Sequence, residues 1–335
     1  MKVDTGINLD LRAIPNVVKT IESQGYDGVR TAEMNHDPFF PLLLAAEHSE
    51  KLEIASSIAV AFARSPMNLA NIGHDLNAYS KGRFTMGLGS QIKPHITKRF
   101  SMEWSKPAAR MREMILATKA IWNSWNTGEK LDFRGDFYQH TLMTPFFDPG
   151  ENPYGAPRMA LAGVGPLMTE VAGETCDVFL AHGFTTEKYL REETIPALER
   201  GAEKAGRSLS DVEISGPLFV VTGNNEDQME AAKQATKQQI AFYGSTPAYK
   251  PVLESIGVGA MQGELNTMSK QGRWQEMGEL ITDDILESFA VVAEPDQVAD
   301  QIISRYGDIV DRTSAAYAHI GKADRASIIE KLSAI

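Results

Sequence analysis

LEIASSIAVAFARSPMNLANIGHDLNAYSKGRFTMGLG, residues 52–89, reads as a small-residue and β-branched run (LEIASSIAV), a helix-patterned stretch over Asn68–Ser80 and a second short apolar run (RFTMGLG). Strand, helix, strand is the parallel βαβ unit, because a parallel neighbour is reached only through a connection long enough to cross the sheet. The same unit repeats outward in both directions. Upstream stand VDTGINL (3–9) and YDGVRT (26–31), with helical patterns at Ile14–Ser23 and Phe40–Ser49. Downstream, RMALAG (158–163) runs into a helix from Pro166, CDVFLAHG (176–183) precedes a helix from Glu187 to Ala205, and VEISGPLFVVTG (212–223) supplies a seventh strand. RTSAAYA (312–318) supplies an eighth before a closing helix.

Eight strands alternating with helices predict an α/β chain folded as a (β/α)8 TIM barrel. The 335 residues are expected to form a single domain, 1–335, with insertions at about 126–157 and 243–290. The first holds LDFRGDFYQH, a hairpin turning at Arg134–Asp136, and then a Pro/Gly-rich stretch. The second belongs to two or three helical segments between Glu226 and Phe289 that form a lobe near the barrel mouth. Lys106–Trp125 reads as a long amphipathic helix opened by Pro107, with Met111, Met114, Ile115, Thr118 and Ile121 at core spacing. A further helix is predicted over Glu294–Tyr306.

The balance of 33 Lys+Arg against 44 Asp+Glu, a net charge of −11, argues against a broad nucleic-acid or anionic-membrane surface. Cys176 is the only cysteine, so an intramolecular disulfide, a cysteine zinc cage and a paired redox motif are all excluded. The N-terminus has no secretory apolar core, and IASSIAVAFA is too short to span a bilayer. A cytoplasmic protein is expected.

In such a barrel the chemistry belongs to the loops after the strands. Strand 2 is followed by the polar cluster Thr31-Ala32-Glu33-Met34-Asn35-His36-Asp37, and strand 3 ends in the small residues of Ser56–Arg64, which let a flat ligand approach the backbone. Strand 4 leads to Gly87-Leu88-Gly89-Ser90-Gln91. Strand 5 leads to Ala162-Gly163-Val164-Gly165-Pro166, where a proline-started helix leaves N–H groups free to face an anion. Strand 6 ends in Ala181-His182-Gly183. The seven histidines show no HxH or HExxH spacing, so no metal site is expected. A Gly-x-Ser-x-Gly elbow and a dinucleotide Gly-x-Gly-x-x-Gly after strand 1 are likewise missing.

With TGINL, TAEMNHDPF, SSIAVAFARSP, RFTMGLGSQ, PAARMREMILATKAIW, DFRGDFYQH and LAGVGPLMTEVAGETCD in this order, the chain resembles the luciferase-like monooxygenase family over nearly its whole length. GLGSQIKPHITKRF and AFYGSTPAYKPVLE are most similar to its F420-dependent oxidoreductase subgroup. The resemblance implies coenzyme F420, or alternatively FMN, with its ring against a strand-3 bulge whose non-prolyl cis peptide falls at Ser57-Ile58. It implies a phosphate site at Gly163, Val164 and Gly165, beside Ala162. Further cofactor contacts are implied from Ser90 and Gln91, and from His182 and Gly183. Met34 stands where many relatives carry a catalytic histidine, so the expected proton donor is His36 or Glu33. Ile92 replaces the glutamate of the sugar-phosphate dehydrogenase branch, which implies another substrate class.

The activity implied is hydride exchange between F420 and a small organic substrate. An FMN-dependent monooxygenase is the first alternative, and a flavin-binding barrel without catalysis, suggested by Met34, is the second. Tyr243, Tyr249 and Trp274 either line an apolar substrate pocket or pack the lobe. Relatives are usually homodimers.

Overall fold

The computed structural model describes residues 1–8, 10–314 and 320–335. Its centre is a closed ring of eight parallel strands: β1 (Lys2–Gly6), β2 (Gly28–Thr31), β3 (Glu53–Ser56), β4 (Phe84–Gly89), β5 (Arg158–Gly163), β6 (Val178–Ala181), β7 (Glu213–Gly216) and β8 (Arg312–Ser314). Each strand pairs with the next, and β8 pairs with β1 to close the ring. The predicted eighth strand is thus present over Arg312–Ser314, while its remainder, with Leu9 of the first run, lies outside the described residues.

The crossover helices form where the apolar periodicity required them. Ile14–Ser23 buries Ile14, Val18 and Ile21, spaced four and three residues apart on one face. Pro107–Thr127 buries Met111, Met114, Ile115, Thr118 and Ile121 and stops at Gly128, whose φ of 73° suits a residue with no Cβ. Glu113 on that helix accepts the amides of Asp136, Phe137 and Tyr138, which fixes the hairpin pairing Phe133–Arg134 with Gln139–His140.

The barrel floor is charged. Arg312, 3% exposed, pairs with Asp4, Glu53 and Glu213, and Arg30 and Arg158 pair with Asp4 and Glu213. Burial works against the Glu213 carboxylate, but Arg312 and Arg158 more than offset it and hold its pKa below the usual range. Gly28 gives this cluster room, since a Cβ there would meet Asp4 Oδ1 at 2.6 Å.

Two expectations need correction. VEISGPLFVVTG is not one strand: β7 stops at Gly216, Pro217 has no N–H to extend the ladder, and Phe219–Val221 pairs separately with Ala290–Val292. The lobe holds five α-helices rather than two or three: Glu226–Gly244, Lys250–Ser255, Met261–Lys270, Trp274–Glu279 and Asp283–Phe289. Gly257 and Gly272, both at positive φ, separate helices that a hydropathy pattern runs together. The lobe has its own core, including Ile240, Leu253, Leu265 and Phe289, which also takes in Phe184 and Tyr189 from beyond β6. It therefore packs on the mouth side of the barrel.

Among the described residues, no helix is long and apolar enough to cross a membrane, and no cluster of His, Cys, Asp and Glu could hold a metal ion. Cys176 is fully buried, which pushes its thiol up to about 12.

Candidate active site

The mouth is organised around a break in the third strand. β3 ends at Ser56, the Ser57–Ile58 peptide is cis, and extended backbone resumes at Ala59–Val60 alongside Leu88 and Gly89 of β4. The loop after β2 is fastened to both sides of this turn. The Ser57 amide donates to Thr31 O at 2.6 Å, and the Glu33 amide donates to Ile58 O at 3.0 Å. The Glu33 carboxylate accepts the Val60 amide at 2.7 Å and Arg64 Nη1 at 2.6 Å, and Arg64 reaches Asp37 at 3.1 Å. Asn8, just beyond β1, accepts the Ala32 amide at 2.9 Å.

The glycines of β4 belong to this turn. A Cβ on Gly87 would stand 1.8 Å from Ser56 O, and one on Gly89 would stand 2.8 Å from the Ile58 side chain. Ser56 Oγ bonds the Gly87 backbone. The Gly-Leu-Gly sequence thus lets a neighbouring strand approach closely. Ser90 and Gln91 follow at the rim, half-buried, with Gln91 at φ 56°.

A second sector is built by β5 and β6, which are in register from Ala160↔Val178 to Gly163↔Ala181. The helix Pro166–Thr175 starts immediately after, with Gly165 at its N-cap and no side chain capping its first turn. Its leading amides therefore lack an internal partner. A Cβ on Gly165 would touch nothing within 4 Å, so the space before this turn is open. Gly163, Val164, His182 and Thr185 line one small cavity, in which Thr185 Oγ1 is buried without a protein partner. Tyr189 OH donates to Val164 O at 3.1 Å and fixes the turn.

His182 is packed between the rings of Tyr243 and Tyr249, at 4.7 and 4.9 Å between centroids. Burial pushes its pKa down to about 4. Its Nδ1 accepts the Phe184 amide at 3.0 Å, so the neutral ring carries its proton on Nε2 and presents a donor there.

The sequence-derived candidates thus fall into two groups. Glu33, Ser57 and Ile58 are bonded or adjacent at the strand-3 turn, and Gly163, Val164 and His182 share a cavity wall. Continuing the β4–β5 register brings Ala162 level with Gly89, between the two groups. Gly183 closes against the backbone of Pro217. His36 is exposed in the loop after β2, and its side chain bonds to no described residue. Tyr243 and Tyr249 face His182, whereas Trp274 sits half-exposed against Phe242 in a groove on the lobe. Arg64, Asn8 and Tyr189 were not singled out from sequence; only Arg64 left a signal, as the lone charge closing the apolar run SSIAVAFAR.

The profile of luciferase-like monooxygenases matches residues 2–312, nearly the whole described barrel and lobe. The chain belongs to the luciferase-like monooxygenase family. Within reach of this luciferase-like chain is an uncharacterized protein of Mycobacterium tuberculosis, 50% identical over 312 residues that cover 93% of this chain and 92% of the relative. The 5,10-methylenetetrahydromethanopterin reductase of Methanolobus tindarius is 24% identical, covering 86% of this chain and 85% of its own. Among solved structures, the coenzyme F420 dependent tetrahydromethanopterin reductase from Methanopyrus kandleri superposes with a TM-score of 0.78 at 20% identity, covering 98% and 96% of the two chains. The similarity therefore runs through the lobe as well as the barrel strands.

Proposed function

We propose that this protein is an F420-dependent oxidoreductase that exchanges hydride between the deazaflavin and a small organic substrate. The observation that carries this reading is the similarity, over 86% of the chain, to a 5,10-methylenetetrahydromethanopterin reductase, in line with the F420-dependent fold neighbour. The residues present suit such a cofactor. Ala162, Gly163, Val164 and Gly165 form an open turn with unpaired amides at a helix start, a fit for a phosphate. Ser57 and Ile58 would back the ring, and Ser90, Gln91, Gly183 and the Nε2–H of His182 would meet its edges. When bound, the deazaflavin supplies the two-electron chemistry, while the protein binds, orients and excludes water.

The Glu33 carboxylate is taken up by Arg64 and the Val60 amide, which supports a holding role for it rather than proton transfer. His36, exposed and unbonded to any described residue, is left as the proton donor in this reading.

The family as a whole motivates the second reading, an FMN-dependent monooxygenase. Competitive titration of the protein with F420 and FMN, followed by absorbance and then by an oxygen electrode with a donor panel, separates the two. We expect F420 to displace FMN and turnover to proceed without oxygen uptake. Tight FMN binding with oxygen-dependent turnover would overturn the proposal, as would F420 binding that no donor reduces.

A further inference from the structure

The segment between β4 and the helix at Pro107 gathers most of the described non-glycine residues at positive φ. Of four non-glycine residues at positive φ, three lie in it: Gln91 (56°), Ser101 (55°) and Lys106 (35°). Residues in this region of conformational space cost energy and persist where the surroundings impose them, often at ligand clamps. The segment is held from below by Ile96, fully buried, and is widened by bonds from the Phe100 amide to His95 O at 3.0 Å and from the Met102 amide to Ile96 O at 2.9 Å.

Its end product is the placement of Arg99. One guanidinium nitrogen bonds Met34 O, so a residue beyond β4 touches the loop beyond β2 across the end of the strand between them. The Glu33 amide, next to Met34, donates to Ile58 O at 3.0 Å, so the loop that Arg99 touches is itself tied to the Ser57–Ile58 turn. The guanidinium also rests 4.8 Å from the Phe100 ring centroid, which limits its freedom. No other hydrogen bond and no ion pair to a described residue occupies it. The nearby carboxylates of Glu33 and Asp37 are both engaged by Arg64. Residues 90–106 contain Lys93, Lys98, Arg99 and Lys106 against the single acid Glu103, in a chain of net charge −11. A planar, held, uncompensated guanidinium is suited to a bidentate oxyanion.

We propose that Arg99 is a specificity-determining contact for a substrate that carries a carboxylate or phosphate, docked over the strand-3 turn. This rests on the reading that the same turn backs the cofactor ring. Benzoate and its neutral isostere benzamide serve as probes, titrated calorimetrically into the whole protein with and without F420. Wild type binds benzoate at least about tenfold more tightly than benzamide; Arg99→Gln abolishes that preference, Arg99→Lys restores part of it, and F420 affinity stays within about twofold in both. Equal affinity for the two probes in wild type, or a preference that survives in Arg99→Gln, would overturn the proposal. So would a variant that loses F420 affinity and keeps the benzoate preference, because Arg99 would then serve an anionic part of the cofactor. Failure of wild type to bind F420 while benzoate discrimination persists without it counts against the cofactor reading alone.

Discussion

One carboxylate oxygen of Glu33 accepts both Arg64 Nη1 and the Val60 amide, at 2.6 and 2.7 Å, so a single atom joins the loop after β2 to the far side of the strand-3 turn. Glu33→Ala leaves a mostly buried Arg64 with Asp37 as its one remaining carboxylate, beside Val60 O, and frees the Val60 amide. We expect a loss of about 2–4 kcal/mol in denaturant unfolding, and roughly half of that for Glu33→Gln, which keeps an acceptor. A loss below about 0.5 kcal/mol for the alanine variant would show that the clamp is not structural.

Stability should respond to His182 over a defined pH range. The ring titrates near 4 when folded and near 6.5 when free, so between those values the unfolded chain binds a proton that the folded one does not. The contribution is complete above about pH 6.5 and is lost as the pH falls toward 4, on the order of 3 kcal/mol in total. Thermal melts of His182→Gln should be flatter across this window than those of wild type; parallel curves would count against a neutral, buried ring.

Arg312→Met removes the cation shared by Asp4, Glu53 and Glu213 at the barrel floor. Three carboxylates would then face only Arg30, Arg158 and Lys2. A loss of about 3–5 kcal/mol is expected at neutral pH. It should shrink in acid as Glu213, whose carboxylate Arg312 helps hold below the usual range, takes up its proton. Unchanged stability at pH 7 would remove the floor from the list of structural necessities.

Two glycines should separate folding from binding. Gly87→Ala places a Cβ 1.8 Å from Ser56 O, a backbone atom that cannot move aside, and is expected to yield no soluble protein. Gly165→Ala meets open space at φ −86° and should melt within a few degrees of wild type. If the turn cradles a phosphate, the same variant lowers FMN affinity severalfold and leaves riboflavin affinity unchanged. Equal losses for both ligands would place the phosphate elsewhere.

Cys176 is sealed in the core with its thiol pushed up to about 12, so it should resist a thiol-specific disulfide reagent at pH 8 and react stoichiometrically in denaturant. Rapid labelling of the native protein would show that this part of the barrel opens.

The strands and crossover helices were legible because their burial writes a local period. Ile14–Ser23 begins and ends where its pattern does, since Ile14, Val18 and Ile21 share one buried face. The Gly163–Gly165 turn was visible through Pro166, a residue whose position in a helix is chemically fixed. Contacts set by tertiary approach left no such trace. Nothing in the spacing of Glu33 and Arg64 announces a bond across 31 residues, and Glu33 consequently reads in sequence as a free acid. Pro217 shows the reverse failure: the apolar run VEISGPLFVVTG outweighed a residue that breaks a ladder, and the pairing of Phe219–Val221 with Ala290–Val292 was missed. The roles of Gly87 and Gly89 became readable only with Ser56 and Ile58 set against them.

The floor pairing of Asp4 with Arg312 joins residues 308 positions apart. During synthesis, the first seven strands leave the ribosome before their last neighbour exists, and Asp4, Glu53 and Glu213 meanwhile lack the guanidinium that unites them. Ring closure therefore waits until residue 312 has been made. A chain truncated before residue 312 would be an open sheet with β1 and β7 as bare edges, each able to pair with another chain.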